Sequence, residues 1–196
     1  MIDFVKPNGN EQELILFAEK LGYQSLCLVY DKFEDISKFS SKIELKLGVV
    51  VDKSKKIKGV DYIIYQSQNP DIDRVVIERG EIDFIIGLED TRNKDFMHNR
   101  ASGVNQVISK LLLEKKVKLL VNFGLILGSK GYIRSLYLGR IKQNLKFCNK
   151  YGFEVRIASF AKQSYQMRDY SSLVNFLKLL GLDTQKVKNL LRPTDL

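Results

Sequence analysis

The 196-residue chain has no tryptophan, three prolines, two cysteines and one histidine, His98. A single imidazole excludes the metallohydrolase centres that need several, and any histidine relay. Cys27 and Cys148 stand far apart without CxxC spacing. Two reduced core thiols are therefore expected, not a zinc or dithiol motif. No apolar run approaches the ~20 residues of a membrane-spanning helix, and the start, MIDFVKPNGNEQ, lacks the pattern of a secretory signal. A soluble, intracellular protein with no membrane partner is expected. Neither GxGxxG nor GxxxxGK[ST] occurs, which removes two common nucleotide-binding signatures. Acidic residues are scarce in one region only. Residues 91–168 hold 16 basic and 3 acidic side chains, against 12 and 17 in residues 1–90. The positive formal net charge of +9 thus arises entirely in the second half. Such a block attracts a polyanion, while the less basic half and exposed apolar helix faces are both open to a protein partner, and the sequence does not choose between them.

Hydrophobic residues make up 44% of the chain, enough at this length to bury a core without disulfide or metal staples. Apolar runs rich in Ile, Val and Leu recur at 2–5, 26–30, 47–51, 62–65, 84–87, 119–123 and 155–158. They do not alternate cleanly with polar residues, as expected of strands covered on both faces. Helical patterns fall between them at 11–21, 70–79, 103–115, 132–150, 171–180 and 184–191. Asn69, Pro70 and Gly80 supply a cap, a first-turn proline and a stop for the second of these. The alternation predicts an α/β fold, with residues 1–196 forming a single β/α barrel domain. The length is at the lower limit for eight units, so a small or imperfect TIM-like barrel of about seven parallel strands fits best. An open doubly wound sheet is the alternative.

The densest polar cluster follows the fifth run, from Leu88 to Gln106. In a barrel it lies at the carboxyl end of a strand, where sites are built. Ser102 is placed to cap the next helix, with Asn105 and Gln106 in its first turn, an arrangement suited to phosphate. His98 lacks a fixed orienting partner, and no nucleophile pattern surrounds Ser102, so no catalytic residue is assigned. Asp3, Asp31, Asp61, Asp83, Glu89 and Asp90 lie near strand ends, but without accompanying histidines they make no convincing metal centre. The basic residues are better candidates. Lys142, Lys146 and Lys150 recur at i, i+4 and i+8 on one helix. Arg134 and Arg140 on that helix, with Arg100, Arg156, Lys162 and Arg168 elsewhere, offer groups suited to phosphate oxygens.

Three segments carry a family resemblance: His98-Asn99-Arg100-Ala101-Ser102-Gly103-Val104-Asn105-Gln106-Val107; Gly139-Arg140-Ile141-Lys142-Gln143-Asn144-Leu145-Lys146-Phe147-Cys148-Asn149-Lys150-Tyr151; and Ile157-Ala158-Ser159-Phe160-Ala161 leading to Met167-Arg168 and Leu177–Leu182. Their order and spacing resemble the ribonuclease P protein component 3 family, shared by archaea and eukaryotes. The resemblance implies a barrel related to the polymerase and histidinol phosphatase barrels, without their metal-binding histidines. It also implies a noncatalytic cytoplasmic subunit of the ribonucleoprotein that removes the 5′ leader from precursor tRNA. The RNA would perform the hydrolysis with Mg²⁺ of its own, the protein binding no cofactor. Ribonuclease P RNA, protein component 2 and the other protein subunits would be its partners, and precursor tRNA an indirect one. Arg100, Arg134, Arg140, Lys146, Arg156, Lys162 and Arg168 are the RNA-contact candidates; His98, Ser102, Gly103 and Asn105 are motif positions. The alternatives are a free-standing metal-dependent phosphoesterase on the same barrel, and an RNA-binding module acting outside ribonuclease P.

Overall fold

A computed structural model describes residues 1–90, 95 and 100–191. The seven apolar runs become seven parallel strands: β1 (Ile2–Val5), β2 (Ser25–Tyr30), β3 (Glu44–Val51), β4 (Tyr62–Gln66), β5 (Phe84–Ile86), β6 (Lys118–Asn122) and β7 (Val155–Ala158). Each pairs with the next in chain order. The chain then turns at Ser159 and pairs with β1. Phe160 N donates to Phe4 O at 2.8 Å and Lys6 N to Ala161 O at 3.0 Å, and a parallel bridge joins Val5 to Ala161. The sheet is thereby closed into a barrel, not left open.

Asp3 holds this seam. Its buried carboxylate accepts from Ser159 N at 2.7 Å, Ser159 Oγ at 2.6 Å and Phe4 N at 2.9 Å. Burial raises its pKa to about 6, although these bonds oppose the shift. Phe160 adopts φ +45° at the turn, a conformation costly for a bulky L-residue and sustained here by the pairing on both sides.

Side chains alternate between two cores. Ile2, Phe4, Cys27, Val29, Ile64, Phe84, Ile86, Leu120, Ala158 and Phe160 pack together inside the barrel. The Phe4 and Phe84 rings meet edge to face at 5.1 Å. The larger cluster, with Leu28, Ile85, Leu119 and Val121, packs outward against helices. These are α1 (Glu11–Lys20), α2 (Pro70–Arg79), α3 (Gln106–Lys115), α4 (Phe123–Gly128), α5 (Gly131–Tyr151), α6 (Tyr170–Leu179) and α7 (Thr184–Leu191). Asn69 caps α2 as expected, accepting from Asp71 N and Ile72 N, and Gly80 ends it in the left-handed region.

The sixth run departs from the sequence pattern. The sixth run ends at Asn122, whose side chain accepts from Leu125 N and starts the short α4. Phe123 therefore begins a helix and does not end a strand. The connections β2–β3 and β3–β4 contain no helix. Here the outer face of β3 is covered by loop residues, including Ile36, Phe39 and Ile43. The barrel has a helix-walled part and a helix-free part around β3.

Candidate nucleic-acid interface

The polar segment after β5 is fastened to α5. Four side chains on one face of that helix reach across to it. Tyr137 Oη donates to Asp90 Oδ1 at 2.6 Å, and Arg140 Nη1 donates to Glu89 O at 2.9 Å. Gln143 exchanges two 3.1 Å hydrogen bonds with the backbone of Arg100. Asn144 Nδ2 donates to Ser102 O at 2.9 Å. Asp95 is the hub: it accepts from Arg140 Nε at 2.9 Å, Ala101 N at 3.0 Å and Arg100 Nη1 at 3.3 Å. Partial burial works to raise the Asp95 pKa, but the Ala101 N–H and the two guanidinium groups hold it below the usual carboxylate range. Glu89 shows the opposite outcome. Its carboxyl is buried, Oε1 has no hydrogen-bond partner among the described residues, and burial aided by the neighbouring Asp90 raises its pKa to about 7.

Two glycines permit this docking. Gly139 lets the Arg100 guanidinium lie against α5, because a Cβ there would stand 2.5 Å from Arg100 Cζ. Gly103 adopts φ +79°, where a Cβ would also stand 2.7 Å from Leu88 O.

The motif positions separate in role. Asn105, not Ser102, caps α3: its Oδ1 accepts from Ile108 N at 2.9 Å, and the helix begins at Gln106. Ser102 is buried, and its hydroxyl has no partner among the described residues. Its expected capping role is therefore corrected. His98 lies outside the described residues.

The basic candidates are distributed differently from the sequence expectation. Arg140 is 2% exposed and engaged by Asp95 and the Glu89 carbonyl. It is an internal clamp in this structure and presents no fork to an external phosphate. Arg134 is exposed on α5 but donates to the carbonyls of Ile126 and Leu127. Arg168 similarly donates to the carbonyls of Tyr165 and Met167. Arg156 is half-buried at the amino-terminal end of the barrel, with Nη2 3.6 Å from Glu154 and a buried Nε that has no partner among the described residues. Arg100 is exposed and paired with Asp95. Lys162 is exposed beyond the carboxyl end of β7, the opposite end from Arg156. Lys146 is exposed on α5 between Lys142 and Lys150, also exposed. The seven candidates thus form no single cluster, but the α5 stripe is present.

Another basic group escaped the sequence reading. Lys53, Lys55, Lys56 and Lys58 share the β3–β4 connection with few intervening residues. The run is visible in the sequence, but the acidic surplus of residues 1–90 conceals it in a regional charge count. Among the described residues, no group of three His, Cys, Asp or Glu side chains is arranged to hold a metal ion. No described helix is long and apolar enough to cross a membrane.

The family described as RNase P subunit p30 matches residues 5–194. The chain belongs to the RNase P subunit p30 family. This p30-family chain is 22% identical to ribonuclease P protein component 3 of Methanothermobacter thermautotrophicus, over 96% of its own length and 83% of the relative's. It is 27% identical to component 3 of Methanocaldococcus jannaschii, over 76% and 67% of the two lengths. A chain in the solved structure of archaeal ribonuclease P with mature tRNA matches at a TM-score of 0.75 and 22% identity, covering 97% of this chain and 87% of that one. That likeness shows the barrel fold. The loop–α5 clamp and the basic helix face are therefore features of a p30-family barrel.

Proposed function

We propose that this chain, a ribonuclease P protein subunit by family, supports the RNA of the enzyme and takes no part in bond cleavage. In this reading the ribonucleoprotein removes the 5′ leader from precursor tRNA, and Mg²⁺ held by the RNA assists hydrolysis there. The chain assembles with ribonuclease P RNA, protein component 2 and the other protein subunits, and meets precursor tRNA only indirectly. It does so in the cytoplasm.

The two-sidedness of α5 is the observation that carries the reading. One face buries Arg140, Ile141, Asn144 and Leu145 and grips the motif segment. The exposed stripe Lys142, Lys146 and Lys150 is free to neutralise phosphates. Displacement of counterions by such a face gives salt-dependent affinity with little sequence preference. Folded RNA is recognised largely by its shape and backbone, which suits this arrangement. Arg100 and Lys162 add exposed charge at the carboxyl side of the barrel. Inside, the phenylalanines pack against one another, giving the barrel a structural core.

Reconstitution with Lys142, Lys146 and Lys150 all replaced by alanine tests the assignment. RNA affinity should fall, and its log–log salt slope should flatten by about two to three units, while the thermal midpoint stays near that of the wild type. An unchanged affinity and slope would remove the stripe from the interface. Phosphate-ester hydrolysis by RNA-free protein would overturn the noncatalytic role. Co-purification of the tagged chain with component 2 and ribonuclease P RNA tests the proposed assembly.

A further inference from the structure

The helix-free part of the barrel contains an open cleft of about 680 Å³ at the carboxyl end of β3. Lys53, Lys55, Lys56 and Lys58 line it from the β3–β4 connection, and Lys32 lines it from the β2–β3 connection. None of these five ammonium groups is in an ion pair with another described residue. The cleft has two acidic lining residues, Asp31 and Asp52, and Asp31 is bonded to Lys6 at 2.8 Å. The nearby Glu81 accepts from Ser54 Oγ. Positive charge therefore exceeds negative charge in a confined space. Like charges that approach within the ~8 Å screening length at physiological salt repel one another.

Phe33 forms part of the same cleft and is 57% exposed. Its ring rests against Gly59, where a Cβ would stand 3.3 Å from Phe33 Cε2. One side of the ring is supported by the turn, while much of its surface remains open. Glu34, Asp35 and Asp61 line an adjoining cleft that also includes Phe33. The aromatic side chain thus lies between a basic cleft and an acidic one.

We infer that the basic cleft around β3 is a second RNA contact, binding a single-stranded segment with phosphates near the lysines and a base stacked on Phe33. The exposed aromatic favours RNA over an acidic peptide, because a nucleotide offers both a flat ring and a phosphate. β3 lies across the closed barrel from β6 and β7, so this contact is separate from the α5 stripe. The inference rests on the reading of the chain as an RNA-supporting subunit.

Full-length protein is titrated against a labelled single-stranded RNA and against ribonuclease P RNA over a salt series. Replacing Lys53, Lys55, Lys56 and Lys58 by alanine should weaken single-strand binding about tenfold at low salt and flatten the slope by about two to three units. Phe33→Ala should weaken binding about fivefold or more without altering the slope. In the unmodified protein, RNA should protect these lysines from acetylation, a readout independent of mutant folding. Loss of binding in the α5 triple variant, with wild-type behaviour in both cleft variants and no lysine protection, overturns the second contact alone. Absence of binding to either RNA by wild-type protein overturns both this contact and the underlying RNA reading. Protection by poly-glutamate but not by RNA also overturns it, in favour of an acidic peptide.

Discussion

The helix-walled and helix-free parts of the barrel use positive charge differently. On the walled side, guanidinium groups are largely occupied within the protein. Arg100 and Arg140 share Asp95, while Arg134 and Arg168 donate to backbone carbonyls. The exposed lysines of α5 supply its outward charge. Around β3, the five cleft lysines are free of ion pairs with described residues. A planar group with five donors is readily engaged by several fixed acceptors, whereas an ammonium on a flexible stem remains at the surface. A regional charge total does not distinguish these uses.

The largest expected break in the comparison comes from Arg140. Arg140→Met should cost about 3 kcal/mol of stability, because it leaves Asp95 and the Glu89 carbonyl without a buried guanidinium partner. Urea unfolding measures this loss. The four-lysine cleft variant should change stability by only about 0.5 kcal/mol. Equal losses in the two variants would contradict the division between internal arginine and presented lysine.

The pH dependence of stability sharpens the same contrast, because buried carboxyls with raised pKa values occur at the seam and beside α5. Folding moves Asp3 from 3.8 to about 6 and Glu89 from 4.5 to about 7. Between each pair of values the folded protein binds more protons than the unfolded chain. Stability should therefore fall as pH rises through pH 4–6 for Asp3 and 4.5–7 for Glu89, then level off. The contribution is up to about 3 kcal/mol per group. Asp3→Asn should remove the first part of the decline in unfolding free energies measured across this range. Wild-type and variant curves of identical shape would contradict that assignment.

The smallest effects distinguish two motif residues. Asn105→Ala should cost about 1 kcal/mol through loss of the α3 cap. Ser102→Ala should change stability by only about 0.5 kcal/mol, since the hydroxyl has no partner among the described residues to lose. Thermal unfolding compares them directly, and a larger loss in the serine variant would restore it as the local anchor.

Strand positions were readable because Ile- and Val-rich runs sit between polar and glycine-bearing turns. The second helix was equally plain from Asn69, Pro70 and Gly80, which perform their expected roles. The start of β3 was less legible: Glu44 and Lys46 interrupt the apolar pattern at the barrel's amino-terminal end. The helix at 123–128 was hidden by apolar residues that also resemble a continuing strand. The polar segment after the fifth run and the helical pattern at 132–150 were legible, but not the hub joining them. Asp95 and Arg140 are 45 positions apart in sequence. Their pairing is fixed by the way the segment folds back onto α5, a relation that local spacing does not contain. By sequence alone, Arg140 is indistinguishable from a surface phosphate ligand.

The Asp3–Ser159 seam has a consequence for synthesis. Its two residues are separated by 156 positions, so most of the chain must leave the ribosome before the barrel can close. Until then, β1 lacks the carboxyl-terminal segment that completes one of its edges. Such non-local pairing slows folding and leaves hydrogen-bonding groups available to other chains. Newborn chains should therefore depend on rapid synthesis through Ala161, or on protection of the open edge, to avoid aggregation.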